Sequence, residues 1–189
     1  LIIKPKIEPY KAPFLTLVAG ASVVKALSNL DVEASIKWPN DIIVHNKKIC
    51  GILTELSAEM ERVNYVVIGI GINIKTIDFP DEIKEKATSL YKEGYKLSRV
   101  DIVRQFCIEF EKLYKGYILD GNKQDTLELC RKYSAIIGKQ VYVIKNNKRE
   151  LVKCIDINEN GNLIVKEKNG EIQEIMSGEV SIRGVKGYV

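Results

Sequence analysis

The sequence predicts an α+β fold followed by a small all-β unit, on three observations. Apolar residues recur at a period of 3.6 from Phe14 to Leu27 and again from Val100 to Tyr117, which marks two long helices. Between them lie short apolar runs rich in Ile and Val, ending in the run Asn64–Ile74. After Gly138 the helical period stops, and short strands follow at regular spacing, punctuated by Asn146-Asn147, Asn160-Gly161 and Asn169-Gly170. A length of 189 residues allows one sizeable core and a second small one. The boundary is placed near residue 136, giving domains 1–136 and 137–189. The second is short for an independent fold and is expected to lean on the first.

Taken in order, Leu1 to Ile7 reads as a strand closed by Pro5 and Pro9. Residues 12–30 form a helix with a wide apolar stripe and Pro13 in its first turn. Residues 34–38 are a strand stopped by Pro39, which has no N–H to donate. Asp41–His45 and Lys48–Glu55 pair as a tight hairpin turning at Asn46-Lys47. The run Asn64–Ile74 is apolar on both faces, as expected of a central strand covered on both sides. Residues 80–91 form a loop or short helix, with Ala87 to Leu90 turning inward. Ser98-Arg-Val-Asp101 has the form of a capping box and opens a helix to about Leu119, with Val100, Val103, Phe106, Phe110, Leu113 and Tyr117 as its core stripe. Gly121 ends it, and Asp125–Tyr133 is a further amphipathic helix. No internal repeat or low-complexity segment occurs.

Composition narrows the function classes. The net charge is +4 with cations and carboxylates interleaved, which admits an anionic substrate and argues against a nucleic-acid surface. No apolar run reaches the ~20 residues of a membrane span. Cys50, Cys107, Cys130 and Cys154 form no C-x-x-C pair, and His45 is the single histidine, so neither a zinc site nor a disulfide scaffold is expected. Free thiols suit a reducing, cytoplasmic compartment. His45 reads as a solvent-facing hairpin residue.

Two stretches carry the chemistry. Lys37-Trp-Pro-Asn-Asp41 places a cation, the only tryptophan, a kink, an amide and a carboxylate in five positions where a strand ends. Lys37 can act there as a point charge on a carboxylate or phosphate, or simply snorkel to solvent. Gly69 and Gly71 fall on one face of their strand, and Asn73 continues it. Either a helix packs closely there, or a ligand lies against bare backbone beside the Asn73 carboxamide.

Lys37-Trp-Pro-Asn-Asp41, then Lys48-x-x-Gly51-Ile-Leu-x-Glu55, then Gly69-Ile-Gly-Ile-Asn73, in this order and with these gaps, resembles the biotin–protein ligases. The closing Ser177-Gly-Glu-Val-Ser-Ile-Arg183 resembles the end of that family's C-terminal domain, so the resemblance covers essentially the whole chain. It implies a mixed β-sheet flanked by helices, the class II synthetase-like biotin ligase fold, followed by a small SH3-like barrel. It implies an enzyme that joins biotin and ATP, with Mg2+ accompanying the ATP, into biotinoyl-adenylate, then passes biotin to a lysine of a biotin carboxyl carrier protein such as that of acetyl-CoA carboxylase. By the resemblance Lys37 is the catalytic cation. Gly51, Ile52, Gly69 and Gly71 line the biotin and adenylate groove, Asn73 reads adenine, and Trp38, Asn40 and Asp41 support the strand end. No metal ligand is firmly assigned. The family's Gly/Arg-rich loop and its ureido-reading strand lie N-terminal to the position of Leu1, so this chain is expected to lack the biotin clamp and to be weak alone. A lipoate–protein ligase and an inactive biotin- or carrier-binding module are the rival readings. Sheet edges permit pairing of two copies across a two-fold axis.

Overall fold

The computed structural model describes residues 1–189 except 146, 147, 178–180 and 186. The Asn146-Asn147 turn and Gly178, Glu179 and Val180 of the closing motif therefore lie outside the described residues. The first sheet has five strands in the order β1-β5-β4-β3-β2: β1 Ile2–Ile3, β2 Ser35–Lys37, β3 Asp41–Val44, β4 Lys47–Ala58 and β5 Val63–Ile72. All four pairings are antiparallel, so the expected mixed sheet keeps parallel pairing only as the isolated bridges Ile36–Ser134 and Lys48–Ala87. β1 is shorter than expected because its ladder with β5 is already lost before Pro5.

Helix α1, Phe14–Ser28, is buried nearly all round, with Leu15, Val18, Ala21, Val24 and Leu27 among its fully enclosed residues. The segment Pro9–Ser28 is long and apolar enough to cross a membrane, contrary to the sequence reading, but most of it is buried inside this fold. A helix that is apolar all round needs cover on several sides. α1 has the sheet on one side and α2, Arg99–Asp120, and α3, Gln124–Lys132, on the other. Ser98 caps α2 by accepting the Asp101 N–H at 3.1 Å, and Gly121 ends it at a left-handed φ of 66°. Its packed stripe is Ile102, Phe110, Leu113 and Tyr117, whereas Val100 (74% exposed) and Val103 face solvent. The expected stripe drifted because Ile102, not Val100, is in phase with Phe106 and Phe110 over two turns.

The hairpin between β3 and β4 turns at His45 and Asn46, with φ of 46° and 63°, one residue earlier than expected. Two consecutive left-handed residues match the twist of the flanking strands. His45 is exposed, as expected, and pairs with Glu93.

The second sheet, in the order β10-β6-β7-β8-β9, is antiparallel throughout: β6 Gln140–Lys145, β7 Lys148–Ile157, β8 Leu163–Lys166, β9 Ile172–Ile175 and β10 Ser181–Gly184. It leans on the first unit through several contacts. The Trp38 indole N–H donates to the Gly161 carbonyl at 2.9 Å. Arg131 bonds Asp156 at 2.9 Å and donates to the Ile157 carbonyl. Gly161, at φ 85°, lies so close to Leu17 and Phe14 that a Cβ there would overlap them. Gly161→Ala is therefore predicted to destabilise the fold by about 1–3 kcal/mol through overpacking and strain. A lower urea midpoint checks this, and an unchanged midpoint would show that the two units do not press together at this turn.

Candidate active site

The sheet register builds a transverse row of four partners: Lys37 on β2, Asp41 on β3, Gly51 on β4 and Gly71 on β5. Cross-strand partners project to the same face, so a cation and an anion stand beside two bare glycines. Nothing lies within 4 Å of where a Gly71 side chain would begin. The face carrying Gly69 and Gly71 is open, which corrects the expectation of a strand covered on both sides and removes close helix packing as the reason for these glycines.

Lys48 joins this row through an irregularity. Between Ile42–Cys50 and Ile43–Lys48 the pairing of β3 with β4 shifts by one residue. Simple alternation would put Lys48 and Gly51 on opposite faces. The extra residue at the bulge turns Lys48 back to the face of Asp41 and Gly51. Its amine pairs with Asp41 Oδ1, and its Nζ lies 3.0 Å from where a Gly51 side chain would begin. The ammonium thus hangs over the glycine floor.

These residues open onto a cleft of about 480 Å3 lined by Lys48, Gly51, Gly71, Asn73, Lys86 and Arg183, with Tyr188 as a wall. Volume and shape suit a small organic ligand. Asn73 sits just past β5, where its backbone N–H donates to Ile49 at 2.7 Å and its carboxamide donates to the Thr88 carbonyl at 3.1 Å. The carboxamide bond, with the Leu90 N–H donating to the Asn73 carbonyl at 2.9 Å, holds the loop of buried Thr88, Ser89 and Leu90 beside the cleft, and the inward turn at 87–90 is as the sequence predicts.

Lys37 does not line the cleft. It is 3% exposed, and the Tyr188 ring covers its ammonium at 3.5 Å from the ring centroid. Burial pulls its pKa from 10.5 down to about 8, against the attraction of Asp41, with Arg183 and Lys48 adding repulsion. Gly69 lies farther along the open face opposite Leu53, outside the cleft lining. The Ile52 side chain turns into the core beside Gly20. Ile52 also borders a separate groove with Pro39 and Asn40. Asn40 ties β4 to the turn by exchanging bonds of 2.9 Å with Ile52, and Trp38 anchors the second sheet, so both support the strand end. The Trp38–Pro39 peptide is cis. The sequence reading attached no role to Lys48, Lys86 or Tyr188. For Lys48 the Lys-x-x-Gly spacing was a usable signal; for Tyr188 none existed.

The electrostatics are one-sided. Lys37, Lys48 and Arg183 stand against one carboxylate, Asp41, so the cleft carries surplus positive charge suited to an anion. Among the described residues no cluster of three or more His, Cys, Asp or Glu could hold a metal. Burial pushes the thiols of Cys50, Cys130 and Cys154 up to about 12, which leaves them without thiolate chemistry.

Lys37 holds its proton up to 10.5 when unfolded but only up to about 8 in the fold. Folding therefore releases a proton between these values, and stability rises with pH across that window. Relative to Lys37→Met, the wild type is predicted to gain stability from pH 8 to 10, read as the difference in urea midpoints. A difference that stays flat would mean that the ammonium is not buried.

Residues 1–73 match the biotin/lipoate A/B protein ligase family, and residues 136–183 match the biotin protein ligase C terminal domain. The chain is 38% identical over 186 residues to the bifunctional ligase/repressor BirA of Bacillus spizizenii, covering 96% of this chain and 57% of that protein. It is 34% identical over 85 residues to the biotin–[acetyl-CoA-carboxylase] ligase of Mycobacterium tuberculosis, covering 43% of this chain and 29% of the relative. The chain thus spans little more than half the length of the BirA relative. A structure of the biotin protein ligase from Aquifex aeolicus in complex with biotin and ATP superposes with a TM-score of 0.81 at 28% identity, over 97% of this chain and 78% of the other. On these matches the chain belongs to the biotin protein ligase family.

Proposed function

We propose that this chain carries the adenylating cleft of an ATP-dependent biotin–protein ligase. The observation that carries the reading is the surplus of positive charge over a floor of two facing glycines, Gly51 and Gly71. In the first step a biotin carboxylate oxygen attacks the α-phosphorus of ATP. The bond to the β-phosphate oxygen breaks, and pyrophosphate leaves. Two anions must approach within bonding distance, so a fixed cation between them lowers the barrier. Lys48 is the amine presented to the cleft. Lys37, the catalytic cation by the family resemblance, stands beside Asp41 under the Tyr188 ring and adds to the positive potential over the same row. Gly51 and Gly71 let the acyl-phosphate lie flat on backbone, and Arg183 and Lys86 face the phosphates.

In the second step the amine of an acceptor lysine attacks the acyl carbon, AMP leaves, and the amine proton passes to solvent. The acceptor we propose is the biotin carboxyl carrier of acetyl-CoA carboxylase, supported by the name of the mycobacterial relative. Asn73, with one amide hydrogen engaged by Thr88, keeps its carbonyl oxygen for the amino edge of adenine. Asp41 is already held by Lys48 and Tyr188, so Mg2+ would be carried by the nucleotide phosphates and not by a protein cage. The match to a biotin-specific C-terminal domain favours biotin over lipoate as the acid. Four free thiols support a cytoplasmic setting.

Biotin-dependent ATP–pyrophosphate exchange tests the reading. Lys48→Met is predicted to lower kcat by about 100-fold or more, the scale of one lost transition-state donor. Gly71→Val is predicted to abolish biotin and ATP binding in calorimetry while leaving the thermal midpoint nearly unchanged, because its side chain would enter open space. Normal exchange in both variants would remove the cleft from the mechanism.

A further inference from the structure

The loop after β5 carries a carboxylate that the ligase reading leaves without a task. Past the buried Thr88, Ser89 and Leu90 the chain turns back on itself. The Glu93 N–H donates to the Ser89 carbonyl at 3.1 Å, the Tyr95 N–H donates to the Leu90 carbonyl at 2.9 Å, and Gly94 takes a left-handed φ of 91° to close the turn. The turn sets the Glu93 carboxylate over Thr88. Its Oε1 accepts the Thr88 hydroxyl at 2.5 Å, and its Oε2 lies 2.5 Å from Nδ1 of His45 in the β3–β4 hairpin turn. Glu93 thus ties the loop to the sheet through both oxygens. Partial burial opposes its charge, but the Thr88 hydroxyl and His45 hold its pKa below the ordinary carboxylate value, so it stays an acceptor.

The next link is Asn73. Thr88 is fixed by its hydroxyl to Glu93 and by its N–H to the Lys48 carbonyl at 2.9 Å. Its own carbonyl accepts the Asn73 carboxamide N–H at 3.1 Å. This bond decides which way the carboxamide faces. With Nδ2 engaged at Thr88, Oδ1 is the free end, and it accepts no bond among the described residues. Asn73 is part of the cleft wall. An amide oxygen accepts from a 6-amino group and repels a 6-oxo group, so one orientation of one carboxamide separates adenine from hypoxanthine. A carboxamide free to flip offers either end and separates neither. Without Glu93 the buried Thr88 hydroxyl lacks its acceptor, the loop rearranges to satisfy it, and the carbonyl that holds Asn73 moves with it.

We propose that Glu93 is a positioning residue: through Thr88 it locks the Asn73 carboxamide with its oxygen toward the nucleobase, and so makes the cleft select a 6-aminopurine nucleotide over its 6-oxo counterpart. The selection rests on the reading of Asn73 as the adenine-facing amide; the lock on the carboxamide stands without it.

Nuclear magnetic resonance on the nitrogen-labelled chain reads both parts. Solvent exchange of the Asn73 carboxamide protons reports the lock. It is expected to be slow in wild type and in Glu93→Gln, whose amide oxygen still accepts the Thr88 hydroxyl. In Glu93→Ala it is expected to be about tenfold faster, the scale of one bond to a charged group. Thr88→Val removes the hydroxyl at nearly constant shape and is expected to match Glu93→Ala, so it decides the matter if the alanine variant does not fold. Titration with ATP and with ITP reports the selection. Wild type and Glu93→Gln are expected to bind ATP about tenfold more tightly than ITP, and Glu93→Ala and Thr88→Val to bind the two within about twofold. A general loosening of the fold would weaken both nucleotides alike and leave their ratio where it was. Asn73 exchange that is unchanged in Glu93→Ala and Thr88→Val overturns the proposal, as does a wild-type preference for ATP that both variants keep. A wild type that binds ATP and ITP equally counts against the adenine reading of Asn73, and carboxamide exchange then decides the lock alone.

Discussion

A single carboxylate organises the site. Asp41 begins β3 immediately after the strand break at Pro39, receives the Lys48 amine on one oxygen and the Tyr188 hydroxyl on the other, and stands next in the sheet row to Lys37. Three cations gather around it because it is there to be shared, yet it neutralises only one of them. The remainder is positive potential directed over the glycine floor. In a partly enclosed cleft this potential is screened less than it would be at an open surface. The rest of the fold holds the row in register: α1 backs the sheet, Trp38 and Arg131 bolt the second sheet beside it, and the tail closes over it.

The division of labour between the two lysines follows from burial. Lys48 reaches water while it pairs with Asp41. Lys37 is enclosed, and its amine gives up its proton more readily than an exposed lysine would. Its position behind Asp41 explains how an expensive buried charge persists: carboxylate and aromatic ring compensate it together. Removing either partner leaves the ammonium with only the other, which links the tail, the strand break and the cleft energetically.

Much of this was legible in the sequence, and the parts that were not share a cause. Helical period located α1 and α2, Asn-Gly pairs located the turns of the small sheet, and the glycines of β5 pointed to an open floor. What period and composition do not carry is register. The bulge that brings Lys48 to the face of Gly51 involves one extra residue, and by alternation Lys48 falls on the wrong side. The pairing of Gly51 with Gly71 is likewise a fact of alignment between two positions 20 residues apart on neighbouring strands. Val100 and Val103 look like core because two apolar phases run along α2, and only packing against α1 selects between them. Tyr188 lies 147 positions from Asp41 and carries no local pattern.

The account turns on where the reacting phosphate sits. A crystal structure with a non-hydrolysable biotinoyl-adenylate analogue measures that directly. The phosphate-equivalent group is predicted to lie over Gly51 and Gly71 within hydrogen-bond distance of the Lys48 amine, with Tyr188 still covering Lys37. An analogue bound away from this floor, or a Lys48 amine turned from it while Lys37 emerges to make the contact, would contradict the account.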